Sequence, residues 1–147
     1  MAAWKVSDEL TAHVKECEGY SARAYRCPAG VWTCGYGHTR GVTSHTTCDK
    51  VKAEAWLCED LAPVVAFCNA IRQIDTQGRF DAVVDFAYNV GLGRLRDSTL
   101  LKLIRSGASD KAVCAELRKW VYGGGRVLGG LVTRREWEVK RWMEGRV

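Results

Sequence analysis

The sequence predicts an α+β domain, mostly helical, with the helices segregated from one small sheet. Two patterns carry that expectation. Apolar residues recur at helical spacing through several capped segments, most plainly from Gln77 to Val90. A single stretch, Arg23 to Tyr36, switches to aromatic and β-branched residues around Cys27-Pro28-Ala29-Gly30. The length of 147 residues fits one domain and leaves no room for a second module. The expected organisation is one domain over 1–147, with the sheet at about 20–42 and the helical part at about 46–147.

The elements follow in order. Ser7-Asp8-Glu9 opens a helix with a cap and two acids in its first turn; Leu10, Val14 and Cys17 share a face, and Gly19 stops it after Glu18. The 23–36 stretch reads as a hairpin centred on Gly30, which sets Cys27 directly opposite Thr33. Thr46 and Asp49 have capping-box spacing for a helix running past Leu57, Leu61, Val65 and Ile71, bent or broken at Pro63. Phe80, Val83, Val84, Ala87 and Val90 stripe the next helix, which Gly91 ends. Ser98 caps a helix through Leu100, Leu101 and Ile104, and Ser109 caps one through Val113, Leu117, Trp120 and Val121. Gly123-Gly124-Gly125 breaks the chain, and Thr133 with Glu136 forms a capping box for the last helix.

Composition narrows the function classes. No apolar run approaches the ~18 residues of a membrane span, and Met1-Ala2-Ala3-Trp4-Lys5 carries no charged and apolar targeting regions, so stable membrane insertion is not expected. A net charge of +5 suits an anionic partner such as a cell wall or an outer-membrane surface, and no nucleic-acid motif accompanies it. Seven cysteines, at 17, 27, 34, 48, 58, 68 and 114, form no C-x-x-C pair. That spacing argues against a metal site, while so many cysteines suit an oxidising compartment with some disulfides and, the count being odd, at least one thiol left over. No cofactor is expected, and a monomer is.

The chemistry concentrates between Glu18 and Thr39. Glu18 ends a helix, and a short connection can hold it across from the hairpin face that carries Cys27 and Thr33. A carboxyl, a thiol and a hydroxyl would then line one cleft.

Glu18, Cys27 and Thr33, separated by eight and five residues, resemble the catalytic pattern of phage-type lysozymes, glycoside hydrolase family 24. Glu18-Gly19, Ala24-Tyr25 and the run from Gly30 to Thr39 resemble the same family, as do Arg79–Gly91, Ser98-Thr99-Leu100-Leu101 and Gly130–Glu138. The likeness therefore covers most of the chain. It implies a lysozyme-like fold, with the small sheet beside the active-site cleft. It also implies a muramidase that cuts peptidoglycan in the bacterial periplasm after synthesis in the host cytoplasm, and so lyses the host. Cys27 stands where the commoner members carry Asp; some membrane-released endolysins also carry Cys there.

The resemblance implies Glu18 as general acid, which requires a proton near neutral pH and hence an apolar or negatively charged setting. Thr33 would hold a water. The Cys27 thiolate would activate that water or attack the anomeric carbon, giving inversion or retention, and the resemblance favours inversion. A thiol needs its pKa depressed from ~8.5 to serve near neutrality. Tyr88 and Asn89 match substrate-facing positions of the family. His38 would hydrogen-bond within the hairpin and order the cleft, and Arg134 or Arg135 would tune Glu18. A Cys17–Cys27 disulfide would hold the enzyme inactive, as in some Cys-containing relatives. Trp137, Lys140, Arg141 and Trp142 make the last helix basic and aromatic, fit either for core packing or for an anionic surface. Three other activities stay open: a lytic transglycosylase, a wall-binding pseudoenzyme, and an antimicrobial protein that kills through its cationic helices.

Overall fold

Asp8 and Glu9 place carboxylates in the first turn of a helix, where its dipole favours them, and α1 runs Asp8–Glu18. Leu10 and Val14 are fully buried on it, but Cys17 is exposed. The computed structural model describes residues 3–144; 1–2 and 145–147, the two ends of the expected domain, lie outside the described residues. The chain divides into two compact units, Asp8–Pro63, and Met1–Ser7 with Val64–Val147. The division falls at Pro63, and the unit with the first sheet also takes in α1.

In the Asp8–Pro63 unit, Gly19 at φ 70 turns the chain out of α1 into an antiparallel pair, β1 (Ser21–Arg26) and β2 (Trp32–Gly35). The register departs from the expected one. Thr33 faces Tyr25 and Trp32 faces Arg26, so the turn centres on Ala29. Cys27 lies across from Val31, donating its N–H to the Val31 carbonyl at 3.0 Å, while Gly30 N–H closes the turn on the Cys27 carbonyl at 2.7 Å. Thr33 is thereby a diagonal neighbour of Cys27 on the same face rather than its direct partner.

The next helix, α2 (Lys50–Asn69), is capped by Asp49, whose Oδ1 accepts from Lys52 N–H at 2.8 Å. Thr46, the expected cap, instead accepts from Thr43 N–H at 2.9 Å in the preceding turn, because the 46–48 segment pairs with β1 through Arg23 and Thr47. The helix runs through Pro63 without a break and ends before Ile71. A proline in mid-helix forgoes its own hydrogen bond, and this helix tolerates that loss. Gly35, at φ 68, brings the end of β2 onto α2: a Cβ there would stand 3.1 Å from the Ala53 Cβ.

In the other unit, Thr76 caps α3 (Gln77–Val90) by accepting from Arg79 N–H, and Gly91 ends it. The short α4 (Leu92–Arg96) follows, then α5 (Thr99–Arg105) and α6 (Asp110–Leu117), capped by Ser98 and Ser109 as expected. Trp120 and Val121 fall beyond α6, because the chain leaves the helix at Arg118 for a second hairpin. That hairpin, β3 (Tyr122–Gly123) and β4 (Arg126–Val127), turns on Gly124 and Gly125, at φ 59 and 80. Two successive positive φ values suit a tight hairpin turn, so the glycines fold the chain back on itself instead of merely interrupting it. The last helix, α7 (Gly129–Met143), begins four residues before the expected Thr133 cap; the Thr133 hydroxyl donates back to the Gly129 carbonyl at 3.1 Å. α7 packs on α3. Phe80, Val83, Val84, Phe86 and Val139 are buried, each worth roughly 1.5–3 kcal/mol relative to exposure.

Trp142 also belongs to this core. It is 3% exposed, donates its Nε1–H to Asp110 at 3.0 Å and stacks under Arg79. Arg141 pairs with Asp81 and Glu144. Of the four residues read as fit for either core packing or an anionic surface, these two are engaged in the fold.

Candidate active site

Glu18 occupies the last position of α1, where the chain turns at Gly19. Its carboxyl rests against the backbone of the loop after β2: a Cβ at Gly37 would lie 2.6 Å from Oε1. Gly37 also sits at φ +77, so two independent constraints require glycine there.

Cys27 closes the hairpin turn. The Val31 amide depresses its thiol pKa most, helped by the Ala29 amide, the Thr33 hydroxyl and the Gly30 amide, against partial desolvation. A tight turn aims successive N–H groups inward, and the thiolate is the acceptor that gains most from them. Thr33, nearly buried, also donates to the Val31 carbonyl at 3.0 Å. Its single hydroxyl proton therefore serves either that carbonyl or the Cys27 sulfur.

Tyr25 links these groups. It faces Thr33 across the hairpin, and its phenol pKa is raised by desolvation first, then by the charges of Glu18 and Cys27. Glu18, Cys27, Thr33 and Tyr25 thus form one neighbourhood in the Asp8–Pro63 unit. Sequence reasoning passed over Tyr25 as a functional residue, although it stands in the Ala24-Tyr25 pair already noted.

His38 pairs its backbone with Cys34, extending the hairpin, but its ring bonds elsewhere than expected. Nδ1 lies 2.8 Å from Asp60 Oδ2 on α2, and the ring stacks on Trp56 at 4.4 Å and 12°. The histidine therefore fastens the loop that carries Gly37 to α2.

The other expected residues lie in the second unit. Arg134 grips both carboxylate oxygens of Asp85, with Nη2 donating to Oδ1 at 2.9 Å and Nε to Oδ2 at 3.1 Å. Arg135, fully buried, donates from Nη2 to Glu138 Oε2 at 3.0 Å and to Asn89 Oδ1 at 2.6 Å. Burial and a hydrogen bond with Asp85 push the Glu138 carboxyl well above the usual range, so two acids and two arginines share the cluster. Tyr88 and Asn89 are half-buried near the end of α3. Beside Asn89 opens a cleft of about 330 Å³, lined among others by Arg94, Trp120, Tyr122, Leu131 and Arg135. Sequence reasoning missed Asp85 and Glu138; the signal was the Arg134-Arg135 pair itself, since buried guanidiniums require carboxylates.

All seven cysteines are free thiols, against the expectation of disulfides. Cys17 and Cys27 are not joined: the Cys17 sulfur stands 3.4 Å from His13 Nε2, one turn back on α1, and Cys27 sits among the turn amides.

A family profile described as phage lysozyme matches residues 15–138. An endolysin of Acyrthosiphon pisum secondary endosymbiont phage 1 is 37% identical over 90% of this chain and 94% of its own length. A SAR-endolysin of Enterobacteria phage PA-2 is 40% identical over 82% of this chain and 74% of its own. Among solved structures, the muramidase domain of SpmX from Asticaccaulis excentricus superposes with a TM-score of 0.84 at 30% identity, covering 95% of this chain and 98% of that one.

Proposed function

The chain belongs to the phage lysozyme family, and we propose that it is an endolysin hydrolysing the β-1,4 bond between N-acetylmuramic acid and N-acetylglucosamine, with Cys27 in the position that the commoner members of glycoside hydrolase family 24 give to Asp. The fold is lysozyme-like and the relatives are endolysins, so peptidoglycan is the substrate class. The SAR-endolysin relatives support action on the wall in the periplasm. No helix among the described residues is long and apolar enough to cross a membrane.

One observation carries the mechanism: the thiol that replaces the usual carboxylate is depressed by three turn amides and by the Thr33 hydroxyl. Thr33 and the Cys27 thiolate hold a water between them, and the thiolate takes its proton as the water attacks the anomeric carbon. Glu18 protonates the departing glycosidic oxygen. Because water attacks from the face opposite the leaving group, the product has inverted configuration. Tyr25 hydrogen-bonds substrate or water at the rim of this neighbourhood, Tyr88 and Asn89 contact the glycan, and His38 holds the Gly37 loop. Arg135 Nη2 donates to the Asn89 side-chain carbonyl at 2.6 Å, which leaves the amide nitrogen as the group offered to the glycan. The enzyme acts as a monomer without a cofactor.

The test is clearance of purified peptidoglycan by wild type and by Glu18→Gln. Loss of the general acid costs roughly 10²–10⁴-fold with the fold intact. Activity above a tenth of wild type in Glu18→Gln overturns the assignment. Proton NMR of the fresh product must show the α-anomer. A β-anomer would make Cys27 a nucleophile, and 1,6-anhydro ends would make the enzyme a transglycosylase.

A further inference from the structure

Two sulfurs that the mechanism leaves unused meet in the hairpin unit. The Sγ atoms of Cys34 and Cys48 lie 3.5 Å apart, and both converge on the Ser21 carbonyl, at 3.5 and 3.6 Å. Cys34 is fully buried on β2, and Cys48 is half-buried just before α2. Backbone pairing on both sides of β1 brings them together. β2 pairs with one edge of β1; on the other edge Arg23 bridges Thr47, Ala24 N–H donates to the Thr46 carbonyl at 3.0 Å, and Cys48 N–H donates to the Ala22 carbonyl at 2.8 Å. The approach is thus set by main chain rather than by a flexible rotamer.

We propose that Cys34 and Cys48 form a disulfide site, which stitches β2 to the segment entering α2 and leaves the Cys27 thiol free. Closure needs the sulfurs to approach by about 1.5 Å, to the ~2.05 Å of a disulfide. The co-reactant is a disulfide donor of the thiol–disulfide exchange class, such as an oxidoreductase disulfide or glutathione disulfide. Cys48, the more accessible thiol, loses its proton and attacks one donor sulfur. The donor disulfide breaks, a mixed disulfide forms, and the first donor thiol leaves. Cys34 then loses its proton and attacks the Cys48 sulfur, releasing the second donor thiol. Two thiols of this chain are oxidised, and the two electrons and two protons end on the donor.

The site differs in kind from Cys27. Desolvation and the hydrogen bond with Cys34 push the Cys48 thiol up to about 11, whereas the turn amides bring Cys27 down. Exchange at the pair is therefore slow near neutrality and quickens about tenfold per pH unit below 11. The stitched segment, residues 35–47, carries Gly37 and His38, so oxidation fastens the backbone against which Glu18 rests and does not consume a reacting thiol. The inference stands whether or not Glu18 and Cys27 act as proposed.

The test is equilibration of the folded chain with glutathione disulfide at pH 9, acid quenching, alkylation in denaturant and non-reducing trypsin digestion. The expected product is peptide 27–40 joined to peptide 41–50 through Cys34 and Cys48, with Cys27 carrying either an alkyl group or glutathione. Oxidation should raise Tm by about 5–10 °C, as closure of a loop of this size predicts. Cys48→Ser, a near-isosteric change at a half-exposed site, should abolish both the linkage and the rise. Recovery of alkylated Cys34 and Cys48 after equilibration overturns the proposal. So does a link through Cys27, or an equal rise in Cys48→Ser.

Discussion

The two units hold polar groups in place by opposite means. In Asp8–Pro63, the thiol of Cys27 and the carboxyl of Glu18 lie against main chain: turn amides for one, the bare backbone of Gly37 for the other. In the second unit, Asp85, Arg134, Arg135 and Glu138 hold one another through side chains that are all buried. A backbone-held site accepts a change of side chain but not of local geometry. A mutually neutralising cluster accepts a change of geometry less readily than it accepts neutral isosteres, and it cannot lose one charge alone.

The largest effect should come from breaking that cluster asymmetrically. Arg134→Met strands the Asp85 carboxylate with no solvent to receive it, at a cost of about 3–5 kcal/mol. Glu138→Gln should cost under about 1.5 kcal/mol, because the native residue is held toward its protonated form and glutamine imitates that form. The two variants also separate by pH. Glu138 has a raised folded-state pKa, so its contribution is complete below the ordinary glutamate pKa of ~4.3 and is lost as pH rises through the folded value. Denaturant midpoints from pH 4 upward should decline less in Glu138→Gln than in wild type. Parallel curves would show that Glu138 carries no shared proton.

The backbone-held side is sharpened by two glycines with similar conformations. Gly30 at φ +81 has open space where a Cβ would go; Gly37 at φ +77 has the Glu18 carboxyl there. Alanine at either costs about 1–2 kcal/mol of left-handed strain. Gly37→Ala must also displace Glu18, so peptidoglycan clearance should fall roughly ten- to a hundredfold beyond the loss in Gly30→Ala, since displacements near 1 Å can cost that much. Equal activity losses in the two variants would mean that Glu18 does not depend on Gly37.

The same division explains what was legible in the sequence. Local signals read well: the apolar stripe of α3, the caps Ser98 and Ser109, and the Gly19 stop of α1 are each written within one or two turns of chain. The hairpin was legible, but its register was not, because Pro28 and Gly30 mark the turn without showing that it closes around Ala29. Cys27 and Thr33 stayed on one face only because the diagonal contact substitutes for the direct one. Residues whose role depends on distant chain were opaque. Thr133 reads as a cap from its spacing to Glu136, yet α7, packed on α3, begins four residues earlier at Gly129. Nothing local marks Asp85 and Glu138 as partners, since they lie on different helices far apart in the chain.

The mildest change tests the backbone-held site most directly: Cys27→Asp should leave the enzyme active and move only its pH dependence. The amides of Val31, Ala29 and Gly30 and the Thr33 hydroxyl donate to whatever anion occupies position 27, and a carboxylate accepts them as a thiolate does. In wild type those donors bring the thiol below its ordinary value, so the acid limb of the clearance–pH profile falls where thiolate is lost. A carboxylate starts from ~3.9 and is lowered by the same donors, so the base stays ionised throughout the neutral range and the limb moves to lower pH. Cys27→Ala removes the base and should lose most activity at every pH, which separates a titration effect from a structural one. The measurement is initial clearance rate from pH 4 to 10 for the three proteins, with iodoacetamide as a second probe. Alkylation should silence wild type, faster as pH rises through the thiol's ionisation, and leave Cys27→Asp unaffected. An acid limb that does not move between wild type and Cys27→Asp, or wild-type rates in Cys27→Ala, would remove Cys27 from the reaction and leave the turn amides with only a structural role.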